Sequence, residues 1–275
     1  MRKKSVISLI SYDAAYLANS IRTYYNYVDE IVLGLDQDRI SWSGNKFYFD
    51  EEQLWSELSQ IDGDNKIEII EGNFHRSKVP IENDNHERNF LKHYCSNDWV
   101  FSFDADEELI NAEDYFNKFC PLVESYDLDH MFYWILPYKR LSNGNILVIS
   151  KADRKTLPNN EVQGFVTNKI NTYTYCRWTN NQKRVQSPLA ILHWSFCRPT
   201  HELDLKVNNF GHSIESKKDP FYEIQASINE SNYRSLQNFK TSNMGPQWES
   251  LMEISEKDLL NYCVSQAPQL YKDSK

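Results

Sequence analysis

The chain has 275 residues and a formal net charge of −9, and 40% of its residues are hydrophobic. This length and composition suit one large domain with a substantial core, and the acidic balance argues mildly against a broad nucleic-acid surface. Five scattered cysteines form no Cys-x-x-Cys pair, so we expect reduced thiols and neither a disulfide framework nor a zinc site. No apolar stretch is long enough for a signal peptide or a membrane span, which predicts a cytoplasmic protein.

Strand and helix patterns alternate through the N-terminal part of the chain. Asp13 is the predicted N-cap of the first helix, and a fourth strand leads into Asp104. Strands separated by helices imply right-handed βαβ units, so we expect a mostly parallel sheet. The predicted strands cover residues 5–11, 30–35 and 66–71, and the predicted helices cover 14–25, 51–61 and 85–94.

The pattern changes after Asp106. A hairpin is predicted around Asn143-Gly144, and the signals from Pro199 onward are helical. Because no repeat or linker interrupts the chain, we expect a main domain over 1–215 and a helical extension over 216–275 packed on the same unit. The remaining predicted elements are strands over 131–138, 146–150 and 190–196 and a helix over 249–265.

The most informative segment runs from Trp99 to Glu108. An aromatic and β-branched run, typical of a buried strand, ends in the carboxylates of Asp104, Asp106, Glu107 and Glu108. Such a cluster is costly unless a cation neutralises it, and open α/β sheets bind ligands at the carboxyl ends of their strands. Asp104 and Asp106 are therefore predicted to hold a divalent metal ion that carries a phosphate, with Asp106 facing the cleft and not the core.

Three common sites are excluded by residue type. A calcium-binding loop would need a glycine where Leu109 stands. Neither a Gly-x-Gly-x-x-Gly fingerprint nor a P-loop is present, so dinucleotide-binding and NTPase functions are not indicated.

The order of these motifs resembles that of the family 2-type glycosyltransferases with the GT-A fold. The resemblance covers roughly residues 4–215 and is most specific at the metal motif. Its other parts are the opening strand at 6–13, Asp-Glu-Ile-Val at 29–32, Arg88-Asn89, and His193-Trp194 followed by Lys206 and Gly211-His212.

The resemblance implies a GT-A-like α/β fold, in which helices flank a mostly parallel central sheet and the C-terminal half is mixed β/α. It also implies metal-dependent transfer of a sugar, a hexose or a pentose, from a nucleotide sugar, most simply a UDP-sugar, to a hydroxyl group. The chain departs from the family where Leu35-Asp36-Gln37-Asp38 replaces the usual Asp-Asp-Gly-Ser, and segment 39–44 has no counterpart. The usual acidic base is not visible at its expected place.

For the metal site, an oxygen-rich pair such as Asp104 and Asp106 suits Mn²⁺ or Mg²⁺, and an additional imidazole favours manganese. His193, at the end of a short apolar strand, is the predicted third ligand, and His212 is the alternative.

For the substrates, the nucleotide is expected to contact Asp36 or Asp38, and Lys206 is expected to face the diphosphate. An inverting enzyme needs a carboxylate base, for which Glu202 and Asp204 are the first candidates and Asp153 and Glu161 the next. A retaining mechanism stays open. The other predicted substrate-binding residues are Ser11, Tyr12 and Arg88.

Two other functions stay open. One is a nucleotidyltransferase that makes sugar nucleotides, although the segment 10–14 lacks the glycines expected for a triphosphate loop. The other is a non-catalytic module that binds a sugar or a nucleotide. For a transferase, the acceptor is expected to be a surface glycan, a lipid-linked glycan or a hydroxymethylated DNA base.

Overall fold

The computed structural model describes residues 2–149, 162–216, 221–240 and 247–266. Its strands are β1 (Lys4–Ile10), β2 (Glu30–Asp36), β3 (Ile67–Gly72), β4 (Trp99–Ser102), β5 (Glu107–Leu109), β6 (Asp129–Ile135), β7 (Lys139–Arg140), β8 (Ile146–Ile149), β9 (Val162–Asn168), β10 (Tyr173–Tyr175), β11 (Trp178–Thr179), β12 (Arg184–His193), β13 (Gln237–Lys240) and β14 (Gln247–Ile254).

Its α-helices are α1 (Leu17–Tyr24), α2 (Glu51–Ile61), α3 (Pro80–Tyr94), α4 (Ala112–Asp114), α5 (Cys120–Val123), α6 (Thr200–Asn209), α7 (Ser213–Ser216), α8 (Phe221–Ser227) and α9 (Leu259–Gln266). A 3₁₀ turn, Ala14–Tyr16, precedes α1, and a π-helical turn, Tyr115–Phe119, joins α4 to α5.

An eight-stranded sheet with the order β3-β2-β1-β4-β9-β6-β12-β5 forms the centre of the molecule. The first four of these strands are parallel, with Val6 opposite both Ile31 and Phe101. Beyond β4 the sheet is mixed, because β9 runs antiparallel to both β4 and β6, and β5 runs antiparallel to β12. The predicted α/β class, with its mostly parallel sheet and mixed C-terminal half, is confirmed by this topology.

Both faces of the parallel strands are covered by helices. Successive side chains of a strand point to opposite faces, so Val6 packs in the same cluster as Leu17 of α1, whereas Ile7 packs in the same cluster as Leu91 of α3. Because helices cover both faces, every residue of β1 is buried, and apolar and polar residues do not alternate along it as they would in a strand with one exposed face.

A smaller sheet with the order β13-β14-β8-β7 lies in the C-terminal half. The predicted hairpin is present: the Gly144 N–H donates to the Leu141 carbonyl at 3.0 Å, and Gly144 has a φ of +85°. A positive φ is readily adopted only by residues such as glycine and asparagine, which explains the Asn-Gly signal.

Several predicted elements differ from the observed ones. The helix predicted over 249–265 is wrong in its first half, because Gln247–Ile254 forms a strand whose Leu251 pairs with Ile149 of β8. Pairing with a neighbouring strand overrides local helical preference. The extension over 216–275 is therefore not wholly helical, and the boundary at residue 215 stays a prediction. Strands β5, β9, β10, β11 and β13 were not predicted, since short strands depend on partners that are distant in sequence.

Asp13 is the N-cap residue of the 3₁₀ turn that precedes α1, at the predicted position, but its side chain makes no capping hydrogen bond and lies 3.4 Å from Arg198 instead. Within the described part of the chain, no helix is both long enough and apolar enough to cross a bilayer.

Glu87 of α3 is a buried acid away from the sheet edge. Its Oε2 accepts a hydrogen bond from Trp42 Nε1 at 2.6 Å, and a Cβ on Gly34 would stand only 2.7 Å from its Oε1. Burial raises the pKa of Glu87 to about 8. The folded protein therefore binds this proton more tightly than the unfolded chain does, and its stability falls as the pH rises towards 8.

We expect Glu87→Gln, which keeps an acceptor for Trp42, to remove this pH dependence. The free energy of unfolding should match the wild type near pH 4.5 and exceed it by about 4 kcal/mol at pH 8. Urea unfolding over this pH range measures the difference. The matched control is Glu52→Gln, which makes the same change at an exposed position of α2. The difference in unfolding free energy between this variant and the wild type should be the same at both pH values. A constant difference for Glu87→Gln as well would contradict the assignment.

Candidate functional site

The site lies at the carboxyl ends of β4 and β12, two strands of the same direction that β9 and β6 separate in the sheet. After β4 the chain turns at Asp104 and Asp106 and returns as β5, in which Glu107 pairs with His193, the last residue of β12. The Trp194 N–H donates to the Asp106 carbonyl at 3.0 Å and fixes this turn against the end of β12. Residues that are far apart in sequence therefore meet at one edge of the sheet.

Asp104, Asp106 and His193 form a compact group in which one ligand atom from each lies within 4.8 Å of the others. His193 Nε2 is 3.4 Å from Asp106 Oδ1, and neither ring nitrogen of this buried histidine has a hydrogen-bond partner. Buried polar atoms are normally satisfied, so an imidazole without partners beside two carboxylates fits a metal ligand. The three predicted ligands are brought together, and metal binding by them stays a prediction.

Asp104 faces two arginines. Arg88 Nη2 donates to Asp104 Oδ1 at 2.8 Å, and Arg177 Nη2 lies 3.6 Å from Oδ2. Burial alone would raise the pKa of Asp104, but Arg177 and Arg88 together hold it below the usual range of a carboxyl. The side chain keeps 28% of its surface exposed, so it is the most accessible member of the group.

Asp106 is almost fully buried, which corrects the expectation that its carboxylate lies outside the core. Its Oδ2 accepts from Lys206 Nζ of α6 at 2.7 Å and from Arg198 Nη2, and only 2% of its side chain is exposed. Burial opposes ionisation here too, yet Lys206, His193 and Arg198 hold the pKa of Asp106 well below its usual range. Lys206 thus lies beside the acidic motif, and its predicted contact with a diphosphate stays a prediction.

Arg177 is a site residue that sequence reasoning missed. It lies in the two-residue turn between β10 and β11, where Cys176 has a φ of +52°. Its guanidinium donates to both carboxylate oxygens of Glu107, at 2.7 and 2.8 Å, and to the Ser102 carbonyl at 3.1 Å. No local sequence pattern identifies this arginine, because the sequence of a turn between short strands does not show which acidic residue the turn packs against.

A cleft of about 220 Å³ opens beside Arg198. Its walls come from the turn after β1 (12–16), the start of α2 with the residues before it (48–57), and the segment 198–205. Glu202, one of the predicted bases, lines the cleft and accepts a hydrogen bond from Tyr16 Oη at 2.7 Å. Tyr12 lines it as well.

Some predicted site residues have other roles. Asp36 Oδ1 accepts from the N–H groups of Asp38 and Ile40 at 3.0 Å, and its Oδ2 accepts from Phe74 N–H at 2.9 Å, so this carboxylate organises the loop after β2. Its predicted contact with a nucleotide stays a prediction. Asp38 and Asp204 are exposed.

The remaining predicted residues divide into three cases. Ser11 is half-buried at the end of β1, and Arg88 faces Asp104 as described. His212 Nε2 lies 3.2 Å from Cys176 Sγ, and the metal-binding group found among the described residues contains His193 and not His212. Asp153 and Glu161 lie outside the described residues.

No protein-family model and no curated protein matches the sequence. Similar solved structures include TarS 1–349 from S. aureus, also solved with UDP and with UDP-GlcNAc (12% identity for the first of these, TM-score 0.33). Another is the mannosyltransferase PcManGT from Pyrobaculum calidifontis with GDP-Man and Mn²⁺ (14%, 0.36). For each of these two, the match covers 49% of this chain and 35% of that chain, so it spans about a third of their length.

A UDP-glucose pyrophosphorylase complexed with UDP-glucose is also similar, at 8% identity and a TM-score of 0.35 over 61% of this chain and 76% of that chain. TM-scores this low support no assignment by themselves. The fold class therefore rests on the strand order and pairing of this chain.

Because Asp106 is buried between two cations, its removal should destabilise the protein. We expect Asp106→Ala to lower the free energy of unfolding by about 3–5 kcal/mol, since Arg198 and Lys206 would remain buried without their partner. The control is Asp114→Ala, which breaks a surface ion pair with Lys118 and should cost less than about 1 kcal/mol. Equal losses in urea unfolding would show that the Asp106 cluster does not stabilise the fold.

Proposed function

We propose that the chain is a metal-dependent glycosyltransferase that moves a sugar from a nucleotide sugar, most simply a UDP-sugar, to an acceptor hydroxyl. The observation behind the proposal is the group Asp104, Asp106 and His193, in which a buried imidazole whose ring nitrogens make no hydrogen bond lies beside two ionised carboxylates. Its position at the carboxyl end of β4 is where parallel sheets bind ligands. The resemblance of the metal motif and its strand to family 2-type enzymes supports the same function.

Asp104, Asp106 and His193 are the residues that would hold the ion, Mn²⁺ or Mg²⁺. Such an ion, when bound, acts as a Lewis acid on the diphosphate oxygens of the donor. The set of two carboxylates and one imidazole suits manganese better than calcium, which takes six or more oxygen ligands.

Lys206 and Arg198 are the cations we assign to the diphosphate. Both donate to Asp106 in the structure, so both cations lie beside a carboxylate that would hold the ion. As the bond between the sugar C1 and the phosphate oxygen breaks, negative charge develops on the leaving nucleoside diphosphate. Cations already in place stabilise that charge without reorganisation. Arg88 and Arg177 serve Asp104 in a different way, by keeping it ionised.

Glu202 is our candidate for the base. In an inverting transfer the acceptor O–H bond breaks as the new O–C1 bond forms, and the proton passes to a carboxylate. Glu202 lines the cleft beside Arg198 and is oriented by Tyr16 Oη. Asp204 is less suited, because it is exposed on the same helix and does not line this cleft.

Donor binding tests the proposal directly. We expect UDP with Mn²⁺ to raise the melting temperature, because a ligand specific for the native state stabilises it by about 2.7 kcal/mol at a hundredfold excess over Kd. EDTA should cancel most of the gain, and Asp104→Asn should reduce it. If no nucleoside diphosphate shifts the transition with any divalent ion, the proposal fails.

The products separate the alternatives. A glycosyltransferase incubated with a UDP-sugar releases UDP, whereas a nucleotidyltransferase releases UTP when pyrophosphate is supplied. A binding module shows the thermal shift without either product.

The role of His193 has its own test. We expect His193→Ala to weaken Mn²⁺ binding about tenfold or more, measured by titration calorimetry on protein shown to be folded. His212→Ala is the matched control and should leave Mn²⁺ affinity unchanged, since His212 pairs with Cys176 and stands apart from the carboxylates. Unchanged affinity in folded His193→Ala would remove this residue from the metal site.

A further inference from the structure

The cleft beside Arg198 has an aromatic wall. Tyr48 lies on this wall with 84% of its surface exposed, although large aromatic side chains are normally buried. Next to it, Phe49 packs edge-on against Trp55 with 6.0 Å between the ring centroids, which steadies the wall. Tyr12 and Tyr16 stand among the lining residues from the turn after β1. An exposed ring beside a concave surface indicates a binding site.

The polar groups of the same cleft are mainly acidic. Asp13, Asp50, Glu57 and Glu202 line it, and Arg198 is the basic residue in the lining. Arg198 is already engaged, because it donates to Asp106 and lies 3.4 Å from Asp13. Apart from Arg198, which we assign to the diphosphate of the donor, the charged side chains of the cleft are acidic, and they suit a ligand that donates hydrogen bonds better than an anionic one.

This cleft is also continuous with the candidate transfer site. Arg198 lines the cleft, and its guanidinium donates to Asp106. Glu202, our candidate base, also lines the cleft, and it lies on α6, the helix that carries Lys206. A molecule bound in the cleft would thus have its nearest hydroxyl beside the proposed base.

We propose that the cleft formed by residues 12–16, 48–57 and 198–205 is the acceptor subsite and that it takes an uncharged sugar. The inference rests on the proposed function. The C–H face of a sugar ring packs against an aromatic face, and its hydroxyl groups donate to carboxylates such as Glu57. The acidic lining disfavours nucleic acid and phosphate-containing polymers as acceptors, so of the acceptors expected from the sequence it favours a neutral glycan over a modified DNA base.

Saturation-transfer NMR with the full chain in the presence of Mg²⁺ and UDP tests this site. The probes are maltose, cellobiose and lactose as neutral disaccharides, and digalacturonic acid and a hydroxymethylcytosine oligonucleotide as anions. We expect signals from at least one neutral disaccharide and none from the anions. We expect Tyr48→Ala to weaken that binding about three- to tenfold. Tyr126→Ala, an exposed tyrosine that does not line the cleft, should leave it unchanged.

A second variant tests the charge. Glu57→Lys should weaken neutral-sugar binding and allow digalacturonic acid to bind. Binding of the anions to the wild type, absence of any neutral-sugar signal, or equal sugar binding by Tyr48→Ala would each overturn the acceptor assignment. The UDP-dependent thermal shift is measured on the same samples. A shift without a sugar signal contradicts only the acceptor subsite, whereas a sugar signal without any nucleotide shift contradicts the proposed function and with it the acceptor role.

Discussion

The buried carboxylate of Asp106 is the interaction on which the site depends. It accepts from Lys206 of α6 and from Arg198, and it faces His193 at the end of β12. A charge with only 2% of its side chain exposed is tolerated because these cations surround it. The contact with Lys206 holds α6 against the sheet edge, so the site is complete only when α6 is packed on the sheet.

A second constraint comes from Glu107, the residue after Asp106. It is fully buried and accepts from Arg177, from Trp134 Nε1 at 2.6 Å and from the Asp104 N–H at 3.1 Å. Such an acid has no freedom to meet a substrate. Its function is to bring the β10–β11 turn to the motif and to fix the backbone at Asp104, so that the side chain proposed to bind the metal is held by a rigid support.

The cations of the site also explain how several acidic residues can lie close together at one edge of the sheet. Burial penalises each carboxylate, and the four cations Arg88, Arg177, Arg198 and Lys206 offset that cost for Asp104 and Asp106. The adjoining cleft has Arg198 on its wall, and its other charged side chains, such as Asp13 and Glu202, are acidic. The proposed diphosphate site and the proposed acceptor subsite therefore share Arg198 and differ in the charges around it.

The sequence by itself determined the parallel half of the fold and the acidic motif, because these depend on local patterns: apolar runs such as β1, helical periods such as α2, and carboxylates directly after β4. It also indicated His193, since the end of a short apolar strand is a local feature. Tertiary structure decided the rest. The antiparallel β9, the strand Gln247–Ile254, the role of Arg177 and the pairing of Asp13 with Arg198 all depend on partners far away in sequence. Their energies come from pairing and ion contacts that no local pattern encodes.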